Sequence, residues 1–261
     1  MWAAMTVNIS FLPSLAAIFL LMFARLGTMA MLMPGLGERG VPVRVRLVIA
    51  VVLTLALLPL YRDQYTVTLD QGFAPVLGLL IQEVLIGAVL GLTARLALSA
   101  LVVAGTTIAF QLGLGFSMAV DPTQEQQSVL LSNFLTILGV ALIFATDLHH
   151  VAIGALDQSY QLFKPGTMLP SGDVAELMIN TVSGAFRIGV QLAAPFLVFG
   201  ILFNVGLGVL ARLMPQLQVF FLGLPASILI GFAILLALVG ALMAKFLSYI
   251  GEVLSQIAPG L

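Results

Sequence analysis

The 261 residues are 61% hydrophobic and 8% charged, with a net charge of −1 and a mean hydropathy of +1.17. A soluble domain carries about 25% charged residues, so this chain has too few to cover a surface in water and reads as a membrane protein. The near-neutral balance leaves no basic patch for nucleic acid, and the lack of cysteine removes disulfides, thiolate metal sites and thiol catalysis.

The chain starts MWAAMTVNISFLPSLAAIFLLMFARLG, with no Lys or Arg ahead of its first apolar run. A cleaved signal sequence needs that basic region, so this stretch is expected to be retained. Apolar segments follow near 11–33, 47–61, 74–112, 128–146, 177–211 and 217–247. A hydrocarbon core of ~30 Å takes about 20 helical residues, which makes the second segment short and the third too long for one straight crossing. The first connection, MPGLGERGVPVRVRL, sets Arg39, Arg44 and Arg46 against Glu38 alone and reads as a cytoplasmic basic loop. Six segments then place Asp63, Asp70 and the acidic stretch with Asp147, Asp157, Asp173 and Glu176 outside, and Arg212 returns to the cytoplasm. Both termini fall outside. The pattern closes only if 74–112 is one long bent element.

Arg25, Glu83, Arg95 and Arg187 all fall well inside apolar segments. Ionisable groups at membrane depth are costly and face protein or water, so each is a functional candidate. Glu83 and Arg95 lie twelve residues apart, which puts them about 120° apart around a helix, so each needs a partner elsewhere. Ion pairing between helices and pairing between subunits both remain open. A proton relay is disfavoured, because three of the four are arginine. In GAVLG, Gly87 and Gly91 form a small-xxx-small pair that allows close helix approach. In FATDLHHVAI, neighbouring histidines on a helix point about 100° apart, which argues against a one-faced ligand set. The chain has two histidines, and the stretch is expected to be a solvated helix end, with no metal and no cofactor. No catalytic constellation is present: there is no G-x-S-x-G, no P-loop and no complete dinucleotide fingerprint, so no enzyme activity is expected.

FQLGLGFSMAVDPTQEQQ breaks the apolar pattern. Gly113 and Gly115 permit backbone conformations other residues resist, and Pro122 pushes Asp121 out of the helical region. Non-helical backbone at membrane depth is tolerated only where protein buries it or where it lines water. An ordinary turn and a gate both fit, with Phe116 and Met118 as bulky, adaptable fillers.

FARLGTMAMLMPGLGERGVPVRVRLVIAVVLTLALLP, LIQEVLIGAVLGLTARL, FQLGLGFSMAVDP, DLHHVAI and GVLARLMPQLQVFFLGLPASILIG, in that order and over nearly the entire chain, resemble the FliR/SpaR/YscT family of type III secretion export-gate subunits. GLGFSMAVDP and the HH pair look more like its flagellar branch. The resemblance implies an all-α integral membrane protein of long helical hairpins, FliP-like over about 1–176 and FliQ-like over about 177–261. It implies a place in the bacterial inner membrane at the flagellar basal body, as part of the pore that exports unfolded rod, hook and filament subunits. Implied partners are FliP and FliQ, with FlhB around the complex, FlhA beneath it and rod-base proteins above. Membrane lipid is a further partner. It also implies that Phe110, Gly113, Gly115, Phe116, Ser117, Met118, Asp121 and Pro122 belong to a pore plug, and that Arg212, Pro215 and Gln216 form a hairpin tip. Gln218 and Ser227 depart from the family's usual Asn and basic residue. Two rival readings are a small-solute or ion transporter built around Glu83 and a purely structural nucleating scaffold.

Overall fold

The computed structural model describes residues 12–38, 40–65, 73–114, 126–167, 170–214 and 219–257. Among them the chain is all-α: α1 Leu12–Leu32, α2 Val43–Tyr61, α3 Phe73–Gln111, α4 Gln126–Ala145, α5 Leu148–Leu162, α6 Ser171–Leu213 and α7 Val219–Ile257, with a 3₁₀ turn at Arg62–Gln64. Five helices are long and apolar enough to cross a membrane, and the broken pair α4–α5 makes a sixth candidate span. This is the all-α membrane protein that composition demanded. The single long element expected at 74–112 is α3. α6 and α7 run through Pro195 and Pro225, which membrane helices tolerate where neighbours re-satisfy the freed carbonyls.

Boundaries differ from the sequence reading in several places, and α6 from Ser171 and α7 to Ile257 both outrun the segments expected at 177–211 and 217–247. Arg44 and Arg46 are not loop residues, because α2 begins at Val43 directly after Pro42, whose φ of −57° and ψ of 140° mark the N-cap. Residues 148–162, read from sequence as part of an acidic outer stretch, form α5 instead. Its buried face is Ala152, Ala155, Leu156, Ser159 and Tyr160, an i, i+3, i+4, i+7, i+8 stripe that the flanking acids obscured.

The described chain divides into two compact units. One comprises Met1–Arg95, Ala152–Leu177 and Ser255–Leu261; the other comprises Leu96–Val151 and Met178–Leu254. In the first, Leu21, Met22, Leu26 and Met29 of α1 pack with Ile86 and Leu90 of α3 and with Leu156 and Tyr160 of α5. The seam between α1 and α3 is built on glycine. A Cβ on Gly87 would overlap the Arg25 carbonyl, and one on Gly91 would lie 2.6 Å from Leu32 Cβ. The small-xxx-small pair therefore serves contact within the chain. In the second unit Gly105 abuts the Ser132 backbone, and Leu101, Ile108, Leu135, Phe196 and Phe246 are buried.

Most of each long helix nevertheless stays uncovered. The buried share of the spans runs from 11% for Val43–Gln64 to 39% for Pro13–Leu32. At 1.5 Å per residue, α3, α6 and α7 are about 58–65 Å long, twice a ~30 Å hydrocarbon core. They must tilt or continue past lipid, and the described residues do not supply their cover.

Candidate functional site

Arg25 and Glu83 are both fully buried and face each other, on α1 and α3 of the first unit. Arg25 Nε donates to Glu83 Oε2 at 2.5 Å and Nη2 to Oε1 at 2.9 Å, a bidentate fork. Nη1 donates to the Ser159 carbonyl at 3.1 Å and to Ser159 Oγ at 3.4 Å, and Nη2 also reaches the Phe163 carbonyl at 3.0 Å. All five guanidinium N–H groups therefore have acceptors. Two of these acceptors lie at the C-terminal end of α5, where the negative end of the helix dipole attracts a cation; the Ser159 carbonyl also accepts from the Phe163 N–H at 2.9 Å. The Tyr160 ring lies 4.3 Å from the guanidinium carbon and stacks on Tyr61 at 4.3 Å. The Tyr61 hydroxyl donates to the Asp157 carboxylate. Tyr65 is buried in the same cluster, and burial pushes its phenol well above the usual range, so it stays protonated.

This network decides among the charges singled out from sequence. Glu83 needed a partner other than Arg95 and finds it 58 residues upstream. The pairing is between helices of one chain. Arg95 and Arg187 are exposed, so neither is a charge buried within the chain. Tyr61, Tyr65, Tyr160 and Asp157 were missed in the sequence. The stripe on α5 was the available signal for Tyr160; nothing local marked the others.

The second candidate region is the end of α3. Gly113 has φ 83°, its N–H donates to the Phe110 carbonyl at 3.1 Å, and the Leu114 N–H donates to the Ala109 carbonyl at 3.0 Å. These paired bonds around a left-handed glycine form a Schellman cap. The helix stops here because Gly113 lets it turn. Ser227 Oγ on α7 donates to the Leu112 carbonyl at 3.0 Å and so ties α7 to that cap. A cleft of about 180 Å³ opens beside it, lined among others by Phe110, Gln111, Asn204, Leu224 and Ser227. Phe110 is 59% exposed, available to something outside the chain. Gly115, Phe116, Ser117, Met118, Asp121 and Pro122 lie outside the described residues. Gly113→Val is expected to lower the unfolding midpoint by the strain of a left-handed β-branched residue, about 1–2 kcal/mol, with Gly113→Asn much milder. Detergent-to-SDS titration of the purified chain measures this. Equal loss in both variants would remove the cap argument.

The other basic candidates are peripheral. Arg44 is exposed, and Arg46 turns back to donate from Nε to the Val41 carbonyl at 3.1 Å and from Nη2 to the Glu38 carbonyl, bracing the turn. Arg212 is exposed in the last turn of α6, where its charge suits the helix dipole. Arg39, Pro215 and Gln216 lie outside the described residues. Asp147, His149 and His150 gather at the start of α5, with one ligating atom from each within 4.8 Å of the others, closer than helical spacing led us to expect.

Comparison with known proteins gives one consistent result. The model for bacterial export proteins, family 1, matches residues 16–253. A flagellar biosynthetic protein FliR of Caulobacter vibrioides is 41% identical over 215 residues, covering 82% of this chain and 85% of that protein. The flagellar biosynthetic protein FliR of Escherichia coli is 30% identical over 222 residues, with 83% and 82% covered. That of Bacillus subtilis is 29% identical over 221 residues, with 84% of each covered.

Proposed function

The chain belongs to the bacterial export proteins, family 1, and from that premise we propose that it helps to form the passage through which flagellar subunits leave the cytoplasm. It is a multi-pass inner-membrane protein and a subunit of the flagellar export apparatus. In our reading its cargo is unfolded rod, hook and filament protein. Its neighbours are FliP and FliQ, with FlhB, FlhA and the rod base close by. Residues 1–176 take the FliP-like place and residues 177–261 the FliQ-like hairpin.

The observation that carries this reading is the uncovered apolar surface of the long helices. Ile201, Leu202 and Val205 of α6 and Leu229 and Leu236 of α7 are each more than 60% exposed on helices that outrun a bilayer. Sister helices offer the cover that lipid cannot give beyond the hydrocarbon. The same geometry weakens the transporter reading. A midplane transport site needs a carboxylate free to bind solute or ion, and both oxygens of Glu83 are occupied by Arg25.

In this proposal Phe110 to Pro122 is the obstruction in the resting passage. It springs from the capped end of α3, and the Ser227–Leu112 bond holds its base. Bulky Phe116 and Met118 limit leakage, and the glycines let the stretch move when cargo enters. Removing residues 115–122 from the chain assembled with its partners is expected to raise small-ion conductance across the membrane. An unchanged leak with normal assembly would count against the sealing role and leave the export-subunit reading in place.

A further inference from the structure

The corner between α4 and α5 carries a cluster for which the export reading has no use. Ala145 closes α4, Leu148 opens α5, and Asp147 between them has φ 59°, left-handed backbone that Asp tolerates better than most residues. The turn is held by the Thr146 N–H on the Leu142 carbonyl at 2.8 Å and the His150 N–H on the Asp147 carbonyl at 2.9 Å. It swings the Asp147 carboxylate over the first turn of α5, where Oδ1 stands 3.6 Å from His150 Nδ1. The His149 and His150 rings lie 4.1 Å apart, and Phe144 stacks on His149 at 5.2 Å, fixing that imidazole from behind. His149 Nδ1 is shielded from solvent and has no hydrogen-bond partner. A shielded nitrogen left unsatisfied is costly, and a bound cation would relieve it.

We propose that Asp147, His149 and His150 bind a divalent transition-metal ion of the Zn²⁺ or Cu²⁺ class. Two imidazoles and one carboxylate suit such borderline ions, whereas Mg²⁺ and Ca²⁺ prefer oxygen donors throughout. Three ligands from four consecutive positions leave a coordination position open to water. A helix N-terminus disfavours a cation, and the Asp147 charge offsets that field. Because Asp147 and His150 are exposed, the ion can enter from solvent. Once bound, it would fix the α4–α5 corner in the turn described.

Composition makes the test unusually clean, since these are the chain's two histidines and it has no cysteine. Any imidazole coordination to added metal must come from this site. The full chain is purified with an affinity tag that contains no histidine, then titrated with Zn²⁺ by calorimetry and loaded with Cu²⁺ for pulsed EPR. One equivalent of Zn²⁺ and nitrogen modulation characteristic of imidazole are expected. His149→Gln and His150→Gln should each weaken Zn²⁺ binding by at least about tenfold, and the double variant should lose the imidazole signal. Asp147→Asn, which accepts the left-handed turn, should weaken binding while retaining that signal. Absence of imidazole modulation in the unmodified chain overturns the proposal, as does unchanged Zn²⁺ affinity in the double variant. The first of these needs no variant to fold.

Discussion

Arg25→Ala is expected to cost about 3–5 kcal/mol, because it leaves the Glu83 carboxylate buried without its cation. The loss should be visible as a lower SDS midpoint for the purified chain and a reduced amount in membranes. Glu83→Gln strands the guanidinium in the same way, although Ser159 and Phe163 still accept from it, so a smaller deficit is expected. Arg25→Lys should recover little, since an ammonium cannot reproduce the fork to Glu83 and the two carbonyl contacts together. The double variant Arg25→Met with Glu83→Leu is the informative one. Buried ion pairs often exchange for apolar packing at little net cost, so it should recover most of the stability that Arg25→Ala loses. If it assembles with partners and supports motility, the pair is a fastening. If it is stable but inactive, the charges act in export directly.

The second large effect is expected at the glycine seams. Gly87→Ala places a methyl against the Arg25 carbonyl, and Gly105→Ala places one against the Ser132 backbone. Backbone cannot rotate aside as a side-chain end can, so α1 or α4 must shift. Each substitution is expected to cost about 1–3 kcal/mol from overpacking, with valine worse than alanine at both positions. Gly240→Ala is the control: nothing lies within 4 Å of its would-be Cβ, and alanine in a helix interior stabilises by up to about 1 kcal/mol. SDS titration of the three variants separates the cases. Equal effects at Gly87 and Gly240 would show that the seam is looser than its geometry.

How much of this was legible in the sequence depended on the range of the interaction. Apolar run length gave α1, α3 and α4 within about two residues, because a span is a local property of the chain. Gly113 could be read as a helix breaker because left-handed backbone is a local demand of one residue, and the Schellman cap meets it there. The partner of Glu83 could not be read. Helical angles excluded Arg95, but choosing Arg25 requires knowing that α1 packs on α3, which is a tertiary fact. α5 was overlooked because its acids suggested a solvated stretch, although its buried positions repeat with helical spacing. The Asp147–His150 turn failed for the opposite reason: an ideal helix was assumed where one residue leaves it. Arg95 and Arg187 share a segment type with Arg25, yet hydropathy does not say which face of a helix a residue takes.

The distance in sequence between Arg25 and its acceptors sets an order of events during synthesis. Glu83 follows Arg25 by 58 residues, and the Phe163 carbonyl follows by 138. At ~5–20 residues per second the ribosome needs roughly 3–12 s to deliver the carboxylate and roughly 7–28 s to deliver the carbonyl. Through that interval the first helix carries an uncompensated cation that the lipid interior rejects. The nascent segment therefore has to linger beside the insertion machinery or at the water boundary until the third helix emerges.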